Sequence, residues 1–182
     1  MTFSAADRRR TPARAEAVRQ MRWRALYLMA AFGIFCADQI TKAWAIRNLR
    51  SGAEVTVIPG FAKFVYAENP GVAFGQLQRG GTAGRWLLAS FAVAAAVGVL
   101  VYFFRTPRSD DRVLGACALL VAGILGNLVD RLRLGFVIDF VLLYAGSLHW
   151  PVFNVADVSI CLGAALLAID AFSGERRRTD AG

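Results

Sequence analysis

Four long apolar stretches alternate with polar segments along the chain. They cover residues 23–46, 84–104, 113–129 and 152–172. Each is close to the length of about 20 residues that an α-helix needs to cross the hydrocarbon core of a bilayer. Because a spanning segment must satisfy its backbone hydrogen bonds internally, the pattern predicts an all-α membrane protein with four transmembrane helices. The first stretch is too long for a cleaved signal peptide and has no small-residue cleavage site.

The connection between the first two spans, about residues 48–83, has a different pattern. Residues 54–59 and 61–66 are typical of two short strands, and Pro59-Gly60 supplies a turn between them. We therefore expect a small β element at the membrane surface. A second connection, about residues 132–151, is partly apolar, and we expect an interfacial helix or loop there, with aromatic anchors.

Composition supports a membrane protein, and the charge pattern indicates its orientation. Apolar residues make up 57% of the chain and charged residues 19%, which excludes a disordered chain. The three cysteines lie in apolar runs and are predicted to be packing residues rather than a disulfide framework. Thirteen of the 21 Lys and Arg residues lie before or at the very start of the first span, after the fourth, or between the second and third. The positive-inside rule then places both termini in the cytoplasm.

This orientation gives the domain organisation. Residues 1–22 and 174–182 are predicted to be basic cytoplasmic tails, and residues 23–173 a membrane domain. The net charge of +8 is explained by this topology and by anionic lipid, so no nucleic-acid partner is expected.

Ionisable and amide side chains within or next to the apolar stretches are the informative positions, because such groups are costly at membrane depth. In the predicted topology all of them lie at one level, near the outer face. Seven of them fall at helical spacings of three or four residues, in the sets 38/42, 127/130/131 and 154/157, so each of three helices presents one polar stripe. The set is Asp38, Lys42, Asn127, Asp130, Arg131, Asp139, Asn154 and Asp157.

The chemistry that this set allows is that of carboxylates. The sequence has no His-Glu-x-x-His and no Gly-x-Ser-x-Gly motif, and its one histidine is His149. Two carboxylates held close together cannot both ionise, so one can accept a proton from water while the other donates one to a scissile amide. This chemistry needs no metal and no cofactor, and we expect neither.

Four segments together resemble the lipoprotein signal peptidase (signal peptidase II) family. They are Asp38-Gln-Ile-Thr-Lys42, Asn69-Pro-Gly-Val-Ala-Phe-Gly75, Gly126-Asn-Leu-Val-Asp-Arg131 with Gly135-Phe-Val-Ile-Asp-Phe140, and Phe153-Asn-Val-Ala-Asp157. The resemblance covers about residues 24–172. It implies that Asp139 and Asp157 are the catalytic pair. It also implies a substrate-binding or supporting role for Asp38, Lys42, Asn69, Asn127, Asp130, Arg131 and Asn154.

The resemblance also implies a substrate and a location. The substrate is a diacylglyceryl-modified prolipoprotein, cleaved just before its lipidated cysteine. The enzyme is expected in the bacterial cytoplasmic (inner) membrane, in contact with membrane lipid, as a monomer. Its active site is expected near the periplasmic face, beside the β element.

Several alternatives stay open at this point. The two aspartates Asp139 and Asp157 could form structural ion pairs with Arg131 or Arg133. The other motif residues could be a helix-end ion pair, scaffold, turn or interhelical contacts. A proton-coupled transporter also uses intramembrane acids, but it more often places them at mid-membrane in a repeated architecture, and no repeat is apparent here.

Overall fold

The computed structural model describes the backbone of residues 5–71 and 82–179, and the side chains of residues 23–71 and 83–173. These residues form four helices and four strands. In chain order they are α1 (Ala5–Leu49), β1 (Val55–Ile58), β2 (Ala62–Asn69), α2 (Thr82–Arg105), α3 (Asp111–Arg133), β3 (Val137–Ala145), β4 (Leu148–His149) and α4 (Val155–Thr179).

Three helices are long and apolar enough to cross a membrane. These segments are Ala83–Arg105, Asp111–Arg133 and Val155–Ser173. They confirm the second, third and fourth predicted spans. Helix α1 runs through the first predicted span, but Asp38, Gln39 and Lys42 dilute its apolar character, so a fourth span stays a prediction. The helix also begins at Ala5, inside the segment that was expected to be a tail.

Helix α3 is the central element of the bundle. It packs against α1, α2 and α4, and α4 also contacts α1. Glycines permit the close approach of α3 and α4: a Cβ atom built on Gly163 would lie 2.8 Å from the carbonyl oxygen of Ala116. Small residues of this kind let helix backbones approach closely within a membrane. The bundle is therefore built around the helix that carries Asn127 and Asp130.

The strands form one antiparallel sheet in the order β1-β2-β3-β4. Strands β1 and β2 and the turn between them confirm the predicted β element, and Gly60 takes the positive φ of 78° that this turn requires. Strand β3 corrects the prediction of an interfacial helix or loop over residues 132–151. It pairs with β2 from Ala62↔Leu143 to Asn69↔Val137. Strand β2 is thereby paired on both edges, with β1 on one side and β3 on the other.

A small apolar core fixes the sheet to the bundle. Ala45 and Leu49, at the end of α1, are buried against Ile138 and Phe140 of β3. Phe64 of β2 adds edge-on contacts with the rings of Trp44 and Phe140, at centroid distances of 5.5 and 6.0 Å. The sheet is thereby held on one end of the bundle, where α3 ends and α4 begins.

The cysteines meet the prediction only in part. All three are free thiols. Cys117 is buried against Phe103, Val113 and Leu114, as expected of a packing residue. Cys161, however, lies on an exposed face of α4, so its prediction as a packing residue was wrong.

Candidate active site

The structure brings all nine predicted site residues to the end of the bundle that carries the sheet. Five elements supply them. Helix α1 contributes Asp38 and Lys42, α3 contributes Asn127, Asp130 and Arg131, and β2 contributes Asn69 at its last position. Strand β3 contributes Asp139, Asn154 directly precedes α4, and Asp157 lies in the first turn of α4. The predicted polar residues do converge, although Asn154 precedes α4 rather than lying on its face, and the sheet adds Asn69 and Asp139.

A buried ammonium group lies at the centre of the cluster. The Nζ atom of Lys42 lies 2.9 Å from Oδ2 of Asp38 and 2.8 Å from Oδ2 of Asp130. It also donates a hydrogen bond of 2.9 Å to Oδ1 of Asn127. The Lys42 side chain is only 2% exposed, so its three donors are used by protein partners. The predicted Asp38–Lys42 pair is confirmed, and it is a buried pair rather than an exposed one at a helix end.

Backbone and amide donors satisfy the remaining oxygens of the two carboxylates. Asp38 accepts from the N–H of Ala156 at 2.9 Å, and Asp130 accepts from the N–H of Ile138 at 3.2 Å. The side chain of Gln39 donates to Asp38 at 3.1 Å and to Asp130 at 3.3 Å. These contacts tie α1 to α3, α4 and β3 at once. Burying charges in this way requires such complete pairing.

Gln39 is the site residue that the sequence reasoning missed. Its position in an apolar stretch, next to Asp38, was the available signal, because a side-chain amide inside a membrane helix also needs a partner. Close packing at Gly126 is a second missed feature. A Cβ atom added to Gly126 would lie 2.6 Å from Oδ2 of Asp38, so glycine is needed for α1 to approach α3 here.

Asn127 connects the charged cluster to Asp157. Its Oδ1 atom accepts from Lys42, so its Nδ2 atom must face the other way. That Nδ2 atom donates to Oδ1 of Asp157 at 2.8 Å. The ammonium group of Lys42 therefore orients the Asn127 amide so that its nitrogen faces the Asp157 carboxylate.

Asn154 and Asp157 cap the N-terminus of α4 reciprocally. The Oδ1 atom of Asn154 accepts from the backbone N–H of Asp157 at 2.9 Å. The backbone N–H of Asn154 in turn donates to Oδ2 of Asp157 at 3.2 Å. This exchange is a capping box, and it places a carboxylate in the first turn of a helix, where the helix dipole favours negative charge. Both oxygens of Asp157 therefore accept a hydrogen bond.

Asp139 is buried within β3 and meets two side-chain amides. Asn154 donates to its Oδ1 atom at 2.7 Å and Asn69 to its Oδ2 atom at 2.9 Å. The pKa of Asp139 is raised from 3.8 to about 6, mainly by burial and also by the nearby charge of Asp157, against the lowering effects of Asn69, Asn154 and Lys42. This carboxyl group therefore keeps its proton to a higher pH than an ordinary aspartate does.

Asn69 has two roles that the sequence analysis treated as alternatives. Its Oδ1 atom accepts from the N–H of Gly71 at 2.8 Å, which closes a turn, while its Nδ2 atom serves Asp139. Gly71 has a φ of 80° and lies beside the guanidinium of Arg131. The rest of this motif, residues 72–75, lies outside the described residues.

The guanidinium of Arg131 contacts the backbone of its own helix. The Nη1 atom of Arg131 donates to the carbonyl oxygen of Asn127 at 3.3 Å, and its Nε atom is buried without a partner among the described residues. In the same part of the chain, no ion pair joins Asp139 or Asp157 to Arg131 or Arg133. Their hydrogen-bond partners are amides instead. Within the described ranges, no group of three or more His, Cys, Asp and Glu residues could hold a metal ion.

The sequence of this chain is similar to those of known bacterial proteins. Residues 30–173 match the family described as "Signal peptidase (SPase) II". The lipoprotein signal peptidase of Shewanella loihica is 39% identical over 144 residues, which covers 79% of this chain and 84% of the relative. That of Shewanella baltica is 38% identical over 160 residues, covering 88% and 91%.

Two solved structures have a similar fold. A bacterial membrane enzyme determined in meso at 2.3 Å resolution superposes with a TM-score of 0.73 at 26% identity, covering 82% of this chain and 88% of the other. A second, determined at 1.9 Å, gives a TM-score of 0.73 at 27% identity, with coverage of 81% and 92%.

Proposed function

Because the chain belongs to the signal peptidase II family, whose proteases process lipoproteins, we propose that Asp139 and Asp157 are its catalytic pair. The substrate is a prolipoprotein whose cysteine carries diacylglycerol. The enzyme hydrolyses the peptide bond just before that cysteine with an activated water molecule, and the signal peptide is released.

One observation carries this proposal: Asn154 bridges the two carboxyl groups. Its Nδ2 atom donates to Asp139 at 2.7 Å and its backbone N–H donates to Asp157 at 3.2 Å. A single residue therefore sets the spacing between an acid on β3 and an acid on α4. The charge of Asp157 also raises the pKa of Asp139, which is the mutual influence that an aspartic dyad needs.

The two environments assign different starting roles to the two acids. Asp157 accepts two N–H donors at the N-terminus of α4, which suits an anionic carboxylate that takes a proton from water. Asp139 is buried and has a pKa of about 6, which suits a protonated acid. It donates its proton to the carbonyl oxygen of the scissile bond as the water oxygen attacks the carbon.

The second half of the reaction returns both protons. The resulting diol transfers one hydroxyl proton back to Asp139 as its C–N bond breaks. The proton held on Asp157 moves to the leaving nitrogen. The products are a carboxylic acid and a free amine, and the dyad recovers its starting protonation. Each step uses only the two carboxyl groups and one water molecule.

The remaining polar residues position the dyad and the substrate in this proposal. Lys42, held by Asp38 and Asp130, orients Asn127 toward Asp157. Asn69 and Asn154 hold Asp139 from two sides. The guanidinium of Arg131 donates to the carbonyl oxygen of Asn127 and so supports the same framework.

The placement of the site fits a membrane-embedded substrate. The dyad lies where α3 ends and α4 begins, beside the sheet, and both helices can span a bilayer. A signal-peptide helix lying in the membrane would bring its cleavage site to this level, while the acyl chains stay in lipid. Strand β1 is at the edge of the sheet and can pair with the extended segment around that site. The distribution of Lys and Arg supports cytoplasmic termini and hence a periplasm-facing dyad, and the four apolar stretches support four spans, in what we propose is the bacterial inner membrane.

The test is cleavage of a diacylglyceryl-modified prolipoprotein by the purified chain in detergent micelles. Asp139→Asn and Asp157→Asn should each lower kcat by about 10²–10⁴-fold, the usual contribution of a general acid or base. Asp170→Asn is the matched control, because the Asp170 side chain is about half exposed and lies far along α4 from Asp157, where its Oδ1 atom is 3.8 Å from Nη1 of Arg112. Wild type and control should cleave equally with and without a chelator.

Two outcomes would contradict the proposal. Cleavage that survives substitution of Asp139 or Asp157 in a folded protein would mean that the dyad lies elsewhere. A well-folded wild type that does not cleave the lipidated substrate would refute the proposed activity. Loss of cleavage in the Asp170→Asn control would show that the assay reports folding rather than chemistry.

A further inference from the structure

Helices α2 and α4 leave a cleft between them that leads to the proposed dyad. Each of the two helices packs on α3, but among the described residues no Cα atom of α2 lies within 8 Å of a Cα atom of α4. Far from the dyad, Leu167 of α4 and Val99 of α2 both pack on the cluster that contains Phe103 and Leu114. The cleft therefore has α3 as its floor, is closed at that end by this cluster, and reaches the dyad at the other.

The α4 side of the cleft carries Asp157. Spacings of three, four and three residues place four side chains on one face of this helix. They are Asp157, Ile160, Ala164 and Leu167. Because Leu167 packs on the same cluster as Val99 of α2, this face points toward α2. Ala164 is exposed on it, so the middle of the α4 side is shallow.

The facing side of α2 is defined near both of its ends. Near the dyad, a Cβ atom built on Gly71 would lie 2.6 Å from Cδ1 of Leu88 and 3.3 Å from Nη2 of Arg131, so these two side chains lie side by side. Eleven residues further along α2, Val99 packs on the closing cluster. The side chains between Leu88 and Val99 on this face, at helical spacing, are small. They are Ala92 and Ala95.

The dimensions of the cleft fit a short apolar helix. Asp157 and Leu167 are ten residues apart, which is about 15 Å along a helix axis. The apolar region of a signal peptide has about 7–15 residues, or about 10–22 Å as a helix. Both walls belong to segments that can span a bilayer, so an occupant at this depth must be apolar and must satisfy its own backbone. Small residues on the two walls let such a helix approach closely.

We propose that the apolar helix of the substrate's signal peptide lies in the cleft between α2 and α4, an inference that rests on the proposed function. The end of this helix that precedes the cleavage site lies beside Asp157, and its other end stops at Leu167 and Phe103. The scissile bond then follows directly after the docked helix, at the level of the dyad. Binding energy from the apolar segment thereby positions a bond that lies outside the cleft.

A bulky side chain in the middle of the cleft tests this placement. Ala164→Trp should raise KM for a full-length diacylglyceryl-modified prolipoprotein about tenfold and leave kcat nearly unchanged, because it removes binding that the ground and transition states share. Leu162→Trp is the matched control. It lies on the same helix, 200° around the axis from Ala164, and its side chain is 53% exposed.

A second substrate separates docking from chemistry. It keeps the residues around the cleavage site and the lipidated cysteine but lacks the apolar segment. Wild type, Ala164→Trp and Leu162→Trp should cleave this substrate with equal kcat/KM. The Tm of each variant, measured in the same micelles, shows whether the added indole has disturbed the fold.

Photocrosslinking locates the docked helix whether or not the bond is cleaved. A prolipoprotein with photoreactive leucine in its apolar segment is irradiated with the wild-type chain, and the adducts are mapped by mass spectrometry. We expect adducts on residues 88–99 and 157–167. A released signal peptide still carries the probe, so adducts on both segments without any cleavage would support the docking site while refuting the proposed function.

Three results would overturn the proposal. The first is adducts that fall on α1 or the sheet instead of on α2 and α4. The second is an equal rise of KM in Ala164→Trp and in the Leu162→Trp control. The third is a loss in Ala164→Trp that persists with the substrate lacking its apolar segment, because the tryptophan would then act on the dyad rather than on docking.

Discussion

Replacing Asp139 by asparagine should make the protein more stable at pH 8 while it abolishes the proposed cleavage. The reason is the environment of the carboxyl group, which is 2% exposed in β3 and has a pKa raised from 3.8 to about 6, mainly by burial. The folded state therefore binds this proton more tightly than the unfolded state. Ionising Asp139 costs folding free energy, and a neutral amide avoids that cost.

The magnitude follows from the two pKa values. At about 1.36 kcal/mol for each unit of pKa, the rise from 3.8 to about 6 corresponds to about 3 kcal/mol of lost stability. The loss begins as the pH rises above the unfolded value, near pH 4, and is complete above pH 7. Both carboxylate oxygens accept amide hydrogen bonds, whereas asparagine has one acceptor oxygen. The variant therefore loses one hydrogen bond, which lowers its gain in stability by about 1 kcal/mol. The net expectation for Asp139→Asn is a gain of about 2 kcal/mol at pH 8.

The pH dependence makes this prediction specific. At pH 4 wild-type Asp139 is protonated in the fold, so the variant loses a hydrogen bond without relief of any charge. It should then be less stable than wild type by up to about 1 kcal/mol. The measurement is unfolding in mixed micelles, followed by tryptophan fluorescence at pH 4, 6 and 8. A stability difference that does not change with pH would refute the argument.

Asp157→Asn is the matched comparison, and it should act in the opposite direction. Its carboxylate accepts from Asn127 and from the N–H of Asn154 in the first turn of α4. Asparagine keeps one of these acceptors and loses the charge at the helix N-terminus, at a cost of about 1 kcal/mol. Both variants should be inactive, yet at pH 8 one should be stabilised and the other destabilised. Equal stability effects would mean that the two acids have equivalent environments.

Three further predictions concern the groups around the dyad. Asn69→Ala removes a hydrogen bond that lowers the pKa of Asp139, so the decline of kcat/KM at alkaline pH should move to higher pH. If that decline stays at the same pH or moves to lower pH, Asp139 is not the acid. Lys42→Met leaves two buried carboxylates without their ammonium and should cost about 3–5 kcal/mol of unfolding free energy. The exposed pair of Lys63 with Glu54 provides the control, since Lys63→Met should cost less than about 1 kcal/mol in the same unfolding assay. Gly126→Ala should destabilise the protein by about 1–3 kcal/mol, because the added Cβ meets a buried carboxylate 2.6 Å away; an unchanged Tm would show that α1 can shift there.

Much of the site could be predicted from sequence because polar groups inside apolar helices have few places to go. Asp38, Lys42 and Asn127 each had to face the interior of the bundle to find a partner, and the spacing showed which face that was. The same reasoning did not reach β3. Residues 137–140 are all buried, so the strand lacks the alternation of apolar and polar positions that predicts a half-buried strand. Its pairing with β2 depends on tertiary contacts alone.

The capping box shows a second limit of sequence reasoning. The spacing of Asn154 and Asp157 indicated two side chains on one helical face. The structure instead places Asn154 just before α4, where its backbone N–H and side chain both engage Asp157. A three-residue spacing fits either arrangement, and only the position of the first helical residue decides between them. The difference matters, because a capping residue has its amide oxygen fixed by the backbone.

Two fixed amides explain how a buried ion cluster can support acid–base chemistry without taking part in it. The oxygen of Asn127 is held by the ammonium of Lys42, and the oxygen of Asn154 by the N–H of Asp157. Each amide must therefore present its nitrogen to one of the two aspartates, at 2.8 Å for Asp157 and 2.7 Å for Asp139. Neither amide titrates, and each is held at its oxygen by a group outside the pair. In the proposed mechanism, Asp139 and Asp157 can then exchange protons with water and substrate while these two amides stay oriented.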